Sequence, residues 1–301
     1  MQKAVTTTID QNKCNGCGLC VKVCPDDTLS MVDGKAAVTG DRSLGCAQCV
    51  AVCPVDAVTV GGIDDKAWSL SSVEGSDRFV PAGEFDAGHL VGLMKSRRSC
   101  RMFKEESVPR EVLEDLVKIG TTAPSGTNSQ LWTFTVYPDR EAVKKVGDEV
   151  AGFFRFLNNL VSKWPVRAFA KVTRNRQLIQ YYEEYHEAVA EALKEYEEAG
   201  RDRLFHGAPA AIIIGAKPGA SCPADDALLA SQNILLAAHA MGLGTCLIGF
   251  AVEAIKNRPK IKKAIGIPMN EKVYSVIALG KPGVRYARQS GRRHLEPRFV
   301  D

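Results

Sequence analysis

The pattern of hydrophobic and polar positions divides the 301-residue chain into three stretches. Residues 1–60 carry no long periodic run. Two short β-prone runs, TLSMV and AVTV, each follow a cysteine-rich segment, which predicts two small strand–helix–strand units. Residues 61–85 mix polarity without a period and contain several turn-formers, as expected of a linker packed on its neighbours. Beyond them the pattern becomes regular. Asp86 is a good N-cap for the helix that follows. A second helix follows Ser107, with Val112, Leu113, Leu116 and Val117 on one face. LWTFTVY (131–137) predicts a strand, 139–157 a helix, and 174–199 a charged amphipathic helix ended by Gly200. PAAIIIGA (209–216) predicts a buried strand, 225–242 a buried helix, and KVYSVIALG (272–280) a last strand. Helices outnumber strands and the two do not alternate strictly, so the fold class is α+β. The expected domains are 1–60, a linker over 61–85, and 86–301.

Composition narrows the setting. With 45% hydrophobic and 25% charged residues the chain can bury a full core. No window approaches eighteen consecutive apolar residues, so no membrane span is expected. The opening MQKAVTTTIDQNKC lacks an apolar signal core, which points to a cytoplasmic protein. The net charge of +4 is matched by residues 281–301, where six Lys and Arg face two acidic residues. A short basic tail on a near-neutral body suits one anionic ligand better than a nucleic-acid groove. The alternative is a solvated tail.

Seven of the ten cysteines fall within residues 14–53. In a reducing compartment such density indicates metal or cluster ligation rather than disulfides. CNGCGLCVKVCP (14–25) recurs as SLGCAQCVAVCP (43–54), 29 residues on, with seven of twelve positions identical. Cys14, Cys17, Cys20 and Cys24 before Pro25 follow the C-x2-C-x2-C-x3-C-P run of bacterial ferredoxins, in which the fourth cysteine serves the other cluster. One cluster is therefore expected on Cys14, Cys17, Cys20 and Cys53. The other is expected on Cys46, Cys49 and Cys24. A zinc site is the plainer alternative, but a duplicated four-cysteine run disfavours it. Ser43 stands where the second copy should begin with cysteine. Its oxygen is a harder ligand than thiolate, so the second cluster is either a 4Fe-4S cluster with a weak corner or a 3Fe-4S cluster, unless it is absent in isolated protein. Cys100, Cys222 and Cys246 read as buried free thiols.

In the large segment, SRRSCRMF (96–103) presents Arg97, Arg98, Ser99 and Arg101, guanidinium forks and a hydroxyl suited to a phosphate and a polyol chain. APSGTNSQLWTF (123–134) is a loop of small and amide residues entering a strand. GLGTCLIGF (242–250) offers backbone for close approach to a cofactor. These three pieces in this order resemble the nitroreductase superfamily, from about residue 90 to 293. With the cysteine run, the whole chain resembles its ferredoxin-fused branch. The resemblance implies a mixed sheet flanked by helices, bound FMN, and a homodimer with FMN at the subunit interface. It assigns Arg97, Arg98, Ser99 and Arg101 to the phosphate and ribityl chain, and Ser125 and Asn128 to the flavin. It places the backbone near Ile248 and Gly249 along the ring, and Arg292, or Arg288, at the phosphate. Leu131 departs from a common proline, and Gly126 from a frequent serine. The five histidines share no metal-ligand spacing, and His206 is the one to watch. No G-x-G-x-x-G follows a strand, so a Rossmann NAD site is not supported.

The expected function is an FMN oxidoreductase that receives electrons through iron–sulfur clusters, from a ferredoxin-type or other donor. It would reduce a small electron-poor acceptor such as a nitroaromatic or a quinone. The alternative is a redox carrier or sensor that passes electrons to a protein partner. Ser43 supplies the first testable point. Ser43→Cys restores a soft ligand, so the variant should hold more iron per chain and show two similar four-iron signals by paramagnetic resonance. Unchanged iron content and an unchanged spectrum would show that Ser43 is not a weak corner.

Overall fold

The computed structural model describes residues 4–75 and 77–300, so the extreme ends of the first and third expected segments lie outside the described residues. The cysteine module comprises β1 (Thr7–Ile9), α1 (Leu19–Lys22), β2 (Leu29–Val32), β3 (Lys35–Val38), α2 (Gln48–Ala51) and β4 (Val58–Val60). β1 pairs antiparallel with β4, and β2 with β3. The repeat is visible in the backbone. Gly16 and Gly45 have φ 77° and 64°, Gly18 and Ala47 72° and 57°, Asp27 and Asp56 52° and 49°. Ala47 holds a left-handed conformation that its counterpart meets with glycine, a strain of about 1–2 kcal/mol. The core here is small: Cys20, Leu29, Ala36 and Val58. Such a core needs further support, and cluster ligation is a natural source.

The large segment contains α3 (Ala87–Ser96), α4 (Arg110–Gly120), β5 (Trp132–Tyr137), α5 (Arg140–Val161), α6 (Trp164–Val172), α7 (Arg176–Gln180), α8 (His186–Ala199), β6 (Ala210–Ala216), α9 (Pro223–Ala240), β7 (Gly244–Leu247), α10 (Gly249–Asn257), α11 (Lys260–Ala264) and β8 (Lys272–Gly280). Asp86 caps α3 through the His89 N–H at 2.7 Å, and Gly200 closes α8 at φ 64°. The single helix expected over 174–199 is three pieces, with a π-helical turn at Tyr181–Tyr185 between α7 and α8. The segment 242–250, for which no strand or helix was expected, contains β7 and the start of α10.

The sheet runs in the order β5-β6-β8-β7, and its strand pairs are antiparallel. A parallel bridge from Ser99 to Thr245 makes its β7 edge mixed. β6 is buried along its whole length, because both faces are covered. Ile213, Val276 and Ala278 face α5, α10 and α11, while Ile212, Ile214, Ile277 and Leu279 face α4 and α9. Successive strand residues alternate between these two cores, as the pleat requires.

The linker is docked rather than loose. The carboxylate of Asp115 in α4 is fully buried and accepts from the Ser71 N–H (2.9 Å), the Ser72 N–H (2.6 Å) and the Ser72 hydroxyl (2.6 Å). Lys118 pairs with it at 3.4 Å and donates to the Ser69 carbonyl at 2.8 Å. Burial pushes the Asp115 carboxyl up, but these bonds outweigh it and hold the carboxyl below its usual value. A carboxyl lowered on folding stabilises the protein above its unfolded value, about 4, and loses that contribution as pH falls through the folded value. Asp115→Ala should therefore lower stability by about 1.5–3 kcal/mol, the usual worth of a hydrogen bond to a charged group, measured by urea unfolding at pH 7. The deficit should vanish in acid, and proteolysis should become faster within 61–85.

Candidate functional site

The cysteines ring two cavities. Cys14, Cys17, Cys20 and Cys53 line one, with about 300 Å3 of atom-free space. Cys24, Ser43, Cys46 and Cys49 line the other, with about 330 Å3. This is the crossed grouping expected from the repeat. Thiol electrostatics repeat it: burial raises Cys20, with Cys14 and Cys17 near enough to repel its thiolate, and burial raises Cys49, with Cys46 and Cys24 near it. Among the described residues no three ligands close on a single metal ion. Four thiols around one cavity and three thiols with a serine hydroxyl around the other, at the ferredoxin spacing, are a donor set suited to iron–sulfur clusters. Ser43 occupies the slot of a ligand. Its Oγ accepts from the Gly45 N–H at 3.1 Å, as the Cys14 thiol is met by the N–H of Gly16.

The arginine segment follows α3 and runs along β7. The Cys100 N–H donates to the Thr245 carbonyl at 2.8 Å beside the Ser99–Thr245 bridge. This contact needs glycine on the facing strand, since a Cβ at Gly244 would stand 2.7 Å from the Cys100 Cβ. The small residues of 242–250 thus admit the arginine segment itself. Among the described residues Arg97, Arg98 and Arg101 have no carboxylate within ion-pairing distance. Clustered guanidiniums without acidic partners form a site for an anion.

Arg101, Cys246, Ile248, Gly249 and Phe250 stand on the wall of a large open cavity with about 2190 Å3 of atom-free space, solvent at its mouth included. Phe154, Tyr181 and Tyr185, supplied by α5 and the π-helical turn, also line it. Phe154 stacks on Tyr181 with centroids 6.1 Å apart and meets Phe250 edge-on at 5.4 Å. His206 lies on the same wall in a left-handed conformation, φ 58°. The turn that strains it is held by Asp202, which accepts from the N–H groups of Leu204, Phe205 and Gly207 and pairs with Arg140 at 2.9 Å. Burial pushes the His206 imidazole below its usual range; Asp202 opposes this and Arg101 adds to it. Tyr181 and Tyr185 were not legible as site residues in the sequence, where YYEEYHEAV reads as an ordinary amphipathic helix. Their signal was the clustering of tyrosines on one side of it.

The 123–131 loop lies elsewhere. Asp226, at the start of α9, accepts from the Gly126 N–H at 2.8 Å and from the Ser129 hydroxyl at 3.5 Å. Ser125 accepts from the Gln130 N–H at 3.0 Å. The Asn128 amide donates to the Gly45 carbonyl at 2.6 Å and accepts from Gln130 at 3.1 Å. This loop enters β5 at one edge of the sheet, whereas Ile248 and Gly249 leave β7 at the other. Three strand spacings of about 4.8 Å separate the edges. Within one chain, then, the expected flavin contacts fall into two groups, Ser125 and Asn128 on one side and Arg97 through Arg101, Ile248 and Gly249 on the other. Arg288 and Arg292 belong to neither, being exposed on the tail, where Arg292 bonds the neighbouring Gly291 carbonyl at 3.2 Å.

Two rings of cysteines, together with an arginine cluster and a large aromatic-walled cavity at the other sheet edge, are features of a redox protein. Residues 94–281 match the nitroreductase family and residues 7–60 match a 4Fe-4S dicluster domain; the chain belongs to the nitroreductase family. It is 29% identical over 196 residues to a putative NADH dehydrogenase/NAD(P)H nitroreductase of Archaeoglobus fulgidus, across 63% of this chain and 83% of that one. It is 24% identical over 228 residues to the 4-nitrobenzoate reductase of a Nocardioides species, across 72% and 89%. Among solved structures, a Bacteroides fragilis nitroreductase with bound FMN superposes with a TM-score of 0.52 at 20% identity, over 70% of this chain and 98% of that one. None of the helices in the described residues is long and apolar enough to cross a membrane.

Gly244→Ala should push the arginine segment off β7 and destabilise the fold by about 1–3 kcal/mol, the usual cost of overpacking. Gly152→Ala is the contrast. Its Cβ would meet nothing within 4 Å, and it lies inside α5. That change should be neutral or stabilising, because alanine is the better helix former. Thermal midpoints of the two variants decide the matter.

Proposed function

We propose that the chain is an FMN-dependent oxidoreductase that takes electrons in through two iron–sulfur clusters and reduces a small, flat, electron-poor acceptor such as a nitroaromatic or a quinone. The observation that carries this reading is the unpaired arginine segment, bound to β7 and continuous with the wall of the large cavity. Arg97, Arg98, Ser99 and Arg101 hold the phosphate and ribityl chain. The backbone around Ile248 and Gly249 lines the ring. Bound FMN would supply the one- and two-electron chemistry that side chains lack. The chain's own residues orient it, exclude water and place the acceptor. Phe154, Tyr181, Tyr185 and Phe250 offer a planar acceptor an aromatic face and keep solvent from it. His206, held neutral, is a proton carrier on the same wall.

The two groups of flavin contacts at opposite sheet edges favour a homodimer in which a second copy brings its 123–131 loop to the cavity. Exposed apolar residues of α3 (Leu90, Val91, Met94) and of the tail (Leu295, Phe299, Val300) give such a dimer a surface to bury. Arg288 and Arg292, exposed on the same tail, would reach the phosphate on assembly.

The test is the absorption and low-temperature paramagnetic-resonance spectrum of anaerobically purified protein, with flavin affinity measured on variants. Flavin bands and cluster signals together are expected. Arg98→Ala should weaken FMN binding roughly tenfold to a hundredfold, since a hydrogen bond to a charged group contributes about 1.5–3 kcal/mol. Arg285→Ala should leave affinity unchanged. Equal affinity in the Arg98 variant and wild type would remove that residue from the site, and protein that takes up no flavin would overturn the reading.

A further inference from the structure

The two cysteine loops are equivalent by repeat and unequal in their surroundings. Gly16 of the first loop packs against the carbonyl of Gly34, in the turn that joins β2 to β3. The first loop is thus covered by its own module's hairpin, and Cys17 beside it is exposed to solvent. Gly45 occupies the same repeat position in the second loop, with the same left-handed backbone. Its carbonyl instead receives the Asn128 amide at 2.6 Å, from the loop that enters β5. Among the described residues no hairpin follows β4, and the chain there runs on into the linker. The second loop is therefore covered by the large domain.

The contact is built to hold its place. Asn128 is at φ 47° and Thr127 at φ 52°, and a Cβ at Gly126 would stand 2.9 Å from the Cys222 sulfur. Asp226 fixes the N–H of Gly126 from below. On the module side, Gly45 sits between Ser43 and Cys46, two residues that line the second cavity. The linker bonds at Asp115 hold the module against the same domain from a second point.

We propose that the second cysteine set, Cys24, Cys46 and Cys49 with Ser43, is the exit of the relay, and that Asn128 is the positioning residue of this junction. The first set is the solvent-side entrance. The proposal rests on the reading of the chain as a flavin and iron–sulfur protein. The step is transfer of one electron at a time with no bond made or broken. Iron held by the second set is oxidised by one electron, the flavin against the 123–131 loop is reduced by one, and the first set refills the second from an external reductant.

The experiment follows the potentials of both clusters while FMN is titrated into flavin-stripped holoprotein, read by low-temperature paramagnetic resonance. Cys17→Ser and Ser43→Cys assign the signals to the first and second sets. FMN carries negative charge, and the Coulomb interaction falls with distance, so the second cluster's potential should drop about twofold or more further than the first's. At saturating FMN, whatever the variant costs in affinity at a residue also expected to contact the flavin, Asn128→Leu should remove most of that difference, and Asn128→Gln, which keeps the donor, should recover part of it. Equal shifts, or a larger shift on the first cluster, overturn the order of the relay. An undiminished difference at saturating FMN in Asn128→Leu, or no recovery in Asn128→Gln, overturns the positioning role, because the junction would then not depend on the amide donor. Protein that takes up no FMN or no clusters overturns the underlying reading and this proposal with it. Uptake of both with the wrong order overturns the proposal alone.

Discussion

The strand order β5-β6-β8-β7 is the constraint on which the rest of the molecule depends. β6 and β8 occupy the centre because they are the most apolar strands and can be covered on both faces. That leaves β5 and β7 as edges, and the 123–131 loop and the arginine segment each meet one of them. The arginine segment is laid against β7 by the Cys100–Thr245 bond, and the 123–131 loop feeds β5. A sheet of four strands is wide enough to keep these two apart in one chain. Placing a site at the rim of a rigid sheet lets loops carry chemistry without disturbing the core.

Buried carboxylates do the remaining work of assembly. Asp115 holds the linker, Asp226 holds the 123–131 loop, and Asp202 holds the turn that presents His206. In each case an acidic side chain accepts backbone N–H groups from irregular chain that would otherwise leave them unpaired. A charged acceptor makes a stronger bond than a neutral one, and several donors on one carboxylate offset the cost of burying it. This is how segments without regular structure acquire fixed positions beside the cofactor sites.

The duplicated cysteine module shows symmetry of sequence and asymmetry of use. Both copies keep the same left-handed positions ahead of α1 and α2, and both ring a cavity. They differ in what covers them, a hairpin in one case and the large domain in the other. A symmetric element placed against an asymmetric partner gives its two halves different surroundings.

The sequence by itself determined the local and periodic features. The cysteine repeat, the crossed grouping of Cys24 with Cys46 and Cys49, the cap at Asp86, the stop at Gly200 and the strands at 131–137, 209–216 and 272–280 all rest on spacing or on single-residue conformational preference. So did the identity of the family, carried by Arg97 to Arg101 and the two loops. Only the tertiary structure decided the rest. β7 was invisible because GTCL is short and glycine-led, and it becomes a strand through pairing with β8 and the arginine segment. The break at Tyr181–Tyr185 was hidden because a π-turn keeps helical periodicity nearly intact while redirecting its tyrosines toward Phe154. The separation of Ser125 and Asn128 from Ile248 and Gly249 follows from strand order, a long-range property with no local signal. The bond from Asn128 to Gly45 joins residues 83 positions apart. No pattern along the chain encodes such a contact, because it exists only where two surfaces distant in sequence meet.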